Sequence, residues 1–266
     1  MKYLLFASII LLILCTLFRK KSNEERVAAF YRNTTNEHPK LDEHISMNNK
    51  IPKIIHQTAP ADKSKWNPIW TQCQESWKKN FPNYEYKMWT DEDNENLVKT
   101  KYPWFYDTYK GFKHNISRVD CSRYFYLYEY GGIYADMDYE CLKNFEHLLP
   151  TGKACTNQMP GHTDGMYENA LMASPPKHPF WMYLLMNIYH EKDSSDILQI
   201  NCRQIDKTVR EHPDIFFTLE YQLFAPPYDD EFKNLTGHSQ EQIDKNLNAT
   251  NSQAYARHHG TGVWNK

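Results

Sequence analysis

An α/β domain is the fold class this sequence predicts, and three stretches predict it. In Asn115–Tyr130, the residues Ile116, Val119, Asp120, Arg123, Leu127 and Tyr130 recur at three- and four-residue steps, which places them on one face of a helix. Gly131 and Gly132 stop that helix, and Ile133–Asp138 continues as a strand. Upstream, the apolar pair Ile54-Ile55 reads as a short buried strand and Tyr84–Trp89 alternates like a second one. With 266 residues and a formal net charge of -2, the chain suffices for one sizeable core. A surface that tracks phosphates needs an excess of Lys and Arg, so this balance argues against nucleic acid as a partner.

Taken in order, the chain opens with an uninterrupted apolar run, Tyr3–Phe18, between Lys2 and the basic triplet Arg19-Lys20-Lys21. The run is a little short of the ~20 residues that span a bilayer, but Lys2 and Arg19 can snorkel at its ends. No small-x-small cleavage site comes after it, so residues 1–21 are expected to be an uncleaved signal anchor, a single pass through the membrane. The basic triplet favours a cytoplasmic side for the rest of the chain. Residues 22–50 are polar and charged, consistent with a stem, and the folded domain is expected over 51–266. Asn33, Asn115, Asn234 and Asn248 each head an N-x-S/T sequon. Of six cysteines Cys15 lies in the apolar run, so any scheme of internal disulfides leaves one of the other five unpaired.

Within the domain, His56 and Thr58 fall at the carboxyl end of the first strand, where ligands bind in open α/β sheets; for His56 a satisfied core histidine is the alternative. Trp66, Trp70, Cys73 and Trp77 have helical spacing and read as core. Thr90 followed by Asp91, Glu92 and Asp93 reads as a helix N-cap with an acidic first turn, which gives that D-x-D a structural reason. Cys155–Glu168, rich in Gly, Pro, Asn and His, reads as a loop. His178-Pro179 starts a helix through Tyr189, and Gln199–Thr218 reads as another helix.

The chemistry concentrates at Asp136 and Asp138. Strand side chains alternate, so Tyr134, Asp136 and Asp138 point to one side and Ile133, Ala135 and Met137 to the other. Two carboxylates converging at a strand end repel each other unless a cation sits with them, and a divalent ion there keeps open coordination positions that a diphosphate can fill. Asp120 and Arg123 lie on the core-directed face of the preceding helix, where charge is costly to bury unless paired or aimed at a ligand. Two readings stand: both face one cleft, or they form an ion pair beside a solvated acidic loop.

R-V-D-C-S-R-Y and Y-G-G-I-Y-A-D-M-D-Y-E-C-L, with I-P-K-I-I-H-Q-T at Ile51–Thr58 and H-H-G-T-G-V-W at His258–Trp264, resemble the DXD glycosyltransferases that include fungal initiating mannosyltransferases and inositol-phosphorylceramide mannosyltransferases. More distantly they are similar to the glucosylating domain of large clostridial toxins. The resemblance implies a nucleotide-sugar-binding domain of the GT-A kind with a mixed central sheet, on the lumenal side of the Golgi or endoplasmic reticulum. It implies transfer of a hexose, with retained anomeric configuration, from a nucleotide diphosphate sugar to a glycan or glycolipid hydroxyl, with Mn2+ or Mg2+ as cofactor. Asp138 is the expected metal ligand, with His259 as second candidate. Asp136 is expected to accept hydrogen bonds from ribose or sugar hydroxyls, and Asp120 and Arg123 to grip the donor. Tyr134, Asn169, His56 and Trp264 are the remaining donor-binding candidates, with a turn or cap role as the alternative for Asn169. The chain departs from the pattern at Ala59, where an aromatic residue is usual, and at Val263, where Ser is usual, so that one hydroxyl contact to metal or phosphate is missing or is supplied by Thr261. Two other classes fit part of the pattern: a catalytically silent sugar-binding protein, and an aspartyl-phosphate phosphotransferase. The latter expects Thr or Val where Glu140 stands.

Overall fold

The computed structural model describes residues 49–159, 166–191, 202–225, 242, 245 and 253–261. The expected anchor, nearly all of the stem, Trp264 and the sequons at Asn33, Asn234 and Asn248 lie outside them. Among the described residues no helix is long and apolar enough to cross a membrane.

A six-stranded mixed sheet carries the domain. Its strands are β1 (Ile54–Thr58), β2 (Glu85–Trp89), β3 (Gly132–Ala135), β5 (Ala154–Gln158), β6 (Tyr167–Ser174) and β7 (Phe216–Leu219), in spatial order β2-β1-β3-β6-β5-β7. β1 runs parallel to β2 and β3, β6 is antiparallel to β3 and β5, and β7 is parallel to β5. A separate ribbon pairs β4 (Tyr139–Cys141) antiparallel with β8 (Ala256–His258). The helices include α1 (Pro68–Asn80), α2 (Asp91–Lys101), α3 (Pro103–Gly111), α4 (Asn115–Glu129), α5 (Pro179–His190) and α6 (Cys202–Glu211), with a single turn α7 (Tyr221–Phe224).

Both faces of the sheet are covered. Tyr134 and Met172 pack with Phe105, Phe125, Leu127 and Trp181 of α3, α4 and α5, whereas Ile133, Ala135 and Leu171 pack with Trp77 and Phe81 on the α1 side. The period-two alternation read along β3 therefore holds. α4 is more deeply set than a one-faced helix: Cys121 through Tyr128 are all buried, so it passes between layers instead of lying on the surface.

Gly131 and Gly132 carry φ of 65° and 98°, and a side chain on Gly132 would place its Cβ 2.5 Å from the Ile54 carbonyl oxygen. Glycine at both positions lets the chain leave α4 and enter β3 directly against β1. The Thr90 cap is present as a capping box with Asp93, so Asp91 and Asp93 keep their structural role.

Two expectations are corrected. Cys155–Glu168 is not all loop, because Ala154–Gln158 forms β5 and Tyr167 begins β6; Cys155 and Thr156 are fully buried between the layers. The helix expected over Gln199–Thr218 ends at Glu211, Pro213 opens a short 3-10 turn, and the chain then becomes β7. Cys73, Cys121, Cys141, Cys155 and Cys202 are all buried, and no disulfide joins any two of them.

Candidate active site

β3 delivers its carboxyl end to the same edge of the sheet as the carboxyl end of β1 and the amino end of antiparallel β6. The strand stops at Ala135. Asp136 N–H donates to the Ala170 carbonyl at 2.8 Å, and Tyr139 N–H donates to the Asp136 carbonyl at 3.0 Å, so Asp136–Tyr139 is a turn that hands the chain from β3 to β4. The strand expected to run through Asp138 therefore ends three residues earlier. The turn nevertheless keeps the two carboxylates together and adds a third group: ligand atoms of Asp136, Asp138 and His258 lie within 4.8 Å of one another.

Each member is held by named partners. Asp136 Oδ1 accepts from Tyr134 Oη–H at 2.6 Å and faces Arg123 Nη1 at 2.9 Å. Asp138 Oδ2 accepts from the Thr261 backbone N–H at 2.7 Å and from Thr261 Oγ1 at 2.8 Å, while its Oδ1 lies 3.4 Å from His258 Nε2. Asp138 Oδ1 thus faces His258 rather than the Thr261 donors. Burial pushes the Asp136 carboxyl up to about 6, opposed by Arg123 and reinforced by Asp138. For Asp138 burial also acts upward, but His258 and Thr261 outweigh it and hold the carboxyl well below the usual range. His258 is pulled the other way: burial opposes its charge, yet Asp138 and Glu168 raise its pKa well above the ordinary value.

Behind Asp136 sits Arg123, 3% exposed at its side chain. Nη2 pairs with Asp120 Oδ1 at 2.5 Å, Nη1 also donates to the Asn169 carbonyl at 2.9 Å, and the guanidinium carbon lies 4.6 Å from the Tyr134 ring centroid. Of the two sequence readings of Asp120 and Arg123, the ion pair is the one present, and through Arg123 that buried pair clamps Asp136.

The other predicted residues separate. His56 is fully buried; its Nε2–H donates to the Gly131 carbonyl at 2.8 Å and its Nδ1 accepts from the indole N–H of Trp89 at 3.1 Å. Both ring nitrogens are used within the core, so the donor-binding expectation gives way to the core alternative. Tyr134 is also fully buried and acts on Asp136 and Arg123 instead of presenting a face to a ligand. Asn169 is partly exposed on β6, with Oδ1 4.0 Å from Cys202 Sγ. His259 is one residue out of place as a partner for Asp138. β8 pairs Tyr139 with His258, so alternation sends His259 to the opposite side, where Nε2 meets Glu140 Oε2 at 3.0 Å. Only its backbone N–H reaches Asp138, at the carbonyl oxygen, 2.9 Å. Glu140 also takes Arg257 Nε at 2.9 Å and Gln72 Nε2 at 3.2 Å, fastening the ribbon to α1.

His56 makes a pH prediction. Burial, helped by the charge of Lys87 and opposed by the Gly131 carbonyl, lowers its pKa to about 4 from 6.5. The unfolded chain therefore binds this proton at a higher pH than the native one, and the stabilising contribution is full above pH 6.5 and lost as pH falls towards 4. The stability advantage of wild type over His56→Gln should shrink by about 3 kcal/mol between pH 7 and pH 4. Urea unfolding at the two pH values measures it, and an advantage that stays constant would refute it.

Residues 67–155, which contain α4 and the Asp136–Asp138 turn, match the family of the glycosyltransferase sugar-binding region containing DXD motif. Among curated proteins, the mannosyl phosphorylinositol ceramide synthase CSH1 of Saccharomyces cerevisiae is 37% identical over 145 residues, 53% of this chain and 36% of that protein. Inositol phosphoceramide mannosyltransferase 3 of Schizosaccharomyces pombe is 38% identical over 141 residues, 52% of this chain and 37% of that protein. The chain thus spans little more than a third of the length of these relatives. Among solved structures, the galactosyltransferase LgtC in complex with donor and acceptor sugar analogs superposes with a TM-score of 0.45 at 12% identity, covering 79% of this chain and 87% of that one.

Proposed function

We propose that this domain is a metal-dependent, retaining hexosyltransferase of the GT-A kind, moving a sugar from a nucleotide diphosphate donor to a glycan or glycolipid hydroxyl. The observation that carries the reading is the convergence of Asp136, Asp138 and His258 at a sheet edge, directly in front of a buried Arg123. The donor set is two carboxylates with one imidazole, which suits Mn2+, with Mg2+ as a weaker match because it prefers oxygen alone. Asp138 and His258 would hold the cation, and Asp136 would share it or accept hydrogen bonds from ribose or sugar hydroxyls. Bound there, a divalent ion supplies Lewis-acid stabilisation of the departing diphosphate.

The chain's own residues do the positioning. Arg123, fixed by Asp120 and the Asn169 carbonyl, orients Asp136 and opposes the effect of burial on its carboxyl. Thr261 ties the returning segment to Asp138, so His258–Thr261 and the D-x-D turn lie together. The Asn169 amide nitrogen, buried and without a hydrogen-bond partner among the described residues, would be the group turned to a sugar hydroxyl. The names of the relatives make a nucleotide-activated mannose and a phosphoinositol ceramide the first substrates to try. A screen of nucleotide sugars with Mn2+, scoring hydrolysis and transfer, tests the reading; donor binding without turnover would instead make this a sugar-binding protein.

The same reading places the domain on the lumenal side, held by residues 1–21 as a membrane anchor and 22–50 as a stem. Long domains translocate largely regardless of flanking charge, so the basic triplet is the weaker signal. N-glycans are expected chiefly at Asn33 in the stem rather than at Asn115, which opens α4 and accepts hydrogen bonds from Arg118. Endoglycosidase treatment should increase mobility, and sealed microsomes should protect the domain from added protease. Digestion from outside with no mobility shift would place it in the cytoplasm.

A further inference from the structure

Glu168 lies in a stretch that reads as loop, yet it is a buried carboxylate on β6, 5% exposed. Its Oε2 lies 3.7 Å from His258 Nδ1, and His258 Nε2 on the other side of the ring lies 3.4 Å from Asp138 Oδ1. The ring itself is stacked on Tyr139, with centroids 4.9 Å apart and planes 17° from parallel. Tyr139 in turn places its hydroxyl 2.8 Å from Glu168 Oε1 and 2.9 Å from the Phe224 carbonyl oxygen. The Thr156 hydroxyl lies between the Glu168 carbonyl at 2.9 Å and the Leu171 carbonyl at 2.6 Å, with one proton to share between them.

From this arrangement we infer that Glu168 is a positioning residue that orients His258, through Nδ1, so that Nε2 is the nitrogen presented to a divalent cation at Asp136 and Asp138. The inference rests on the metal-dependent reading of the site. An imidazole offers two nitrogens as ligating atoms, and a carboxylate on one of them decides between them by fixing tautomer and ring direction. At 3.7 Å the contact is an ion-pair distance, longer than a hydrogen bond. Stacking on Tyr139 restrains the ring plane, and the Tyr139 hydroxyl restrains the carboxylate, so one aromatic side chain braces both partners. Seating on a central strand gives this support more precision than a loop would provide.

The test is Mn2+ binding to the folded protein, followed by the electron paramagnetic resonance of free Mn2+ and by the nitrogen modulation of the bound ion's spin echo. Wild type should show one imidazole nitrogen on the ion, lost in His258→Gln, and Asp138→Asn should abolish tight binding. Glu168→Ala should weaken Mn2+ binding by about tenfold to a hundredfold. Glu168→Gln, whose amide oxygen still accepts from Nδ1–H, should retain most of the affinity and the nitrogen signal. Glu168→Asp withdraws the carboxylate by one methylene and should lose more than Glu168→Gln does. Wild-type binding that depends on Asp138 but is unchanged in Glu168→Ala would overturn the role of Glu168 and leave the metal site standing. If Glu168→Ala does not fold, equal affinity in the Asp and Gln variants overturns it instead, as does failure of all three to fold, which would make Glu168 a core residue. Wild type that binds no Mn2+ would overturn both the site and the inference.

Discussion

Asp138→Asn is expected to lower nucleotide-sugar turnover by at least about a hundredfold, the scale set by removing one preorganised electrostatic contact to a developing charge. The choice of asparagine comes from the hydrogen bonds of this carboxylate. Oδ2 accepts from both the backbone N–H and the hydroxyl of Thr261, so Asp138 ties the closing segment down as well as facing the candidate metal position. Asp138→Ala removes both functions at once. It leaves the Thr261 donors unpaired, at a cost of about 1–3 kcal/mol where they are buried, and any loss of activity would then mix chemistry with loosened structure. Asparagine keeps an oxygen for Thr261 and removes only the charge. Turnover is measured at saturating donor alongside the thermal midpoint: a stable Asp138→Asn protein with wild-type turnover would remove Asp138 from the metal site.

The sequence carries the hinge of this site clearly and its rim poorly. Gly131-Gly132 marks the passage from helix to strand, and the alternation of Ile133, Tyr134 and Ala135 assigns their two faces correctly. Asp136 and Asp138 are legible as a pair, although by way of a strand that ends before them; a turn can bring residues i and i+2 together as effectively as a pleat does. His258 and His259 are legible only as a couple. Which of two adjacent imidazoles faces a carboxylate depends on the register of β8 against β4, set by pairing across more than a hundred residues of chain. Sequence-local patterns do not contain that information. Glu168 leaves no signal at all, because one carboxylate before Asn169 looks like loop solvation until β6 carries it under His258. β5 escapes the sequence pattern for a related reason. Ala154, Cys155, Thr156 and Asn157 are all buried, so the polar residues among them imitate a loop and supply no alternation.

Arg123→Lys is expected to impair both turnover and stability, and the joint effect separates a clamp from a surface pair. The arginine satisfies Asp120, Asp136 and the Asn169 carbonyl from one planar fork, while the Tyr134 ring lies near its cation. Lysine keeps the charge but donates from a single nitrogen and cannot span those three acceptors. Its ammonium should stay with one carboxylate, leaving the other buried with less compensation. Complete removal in Arg123→Ala sets the upper bound, about 3–5 kcal/mol for breaking a buried ion pair from one side. For the lysine variant the loss should be smaller, and Asp136, no longer held by Nη1, should swing relative to Asp138. Turnover of the folded fraction should then drop while Mn2+ affinity, governed by Asp138 and His258, falls less. The measurement is donor turnover at a temperature where the variant is fully folded, with denaturant unfolding in parallel. A folded Arg123→Lys protein that turns over normally would show that Asp136 holds its place without the fork, leaving Arg123 a structural cation of the α4–β3 hinge.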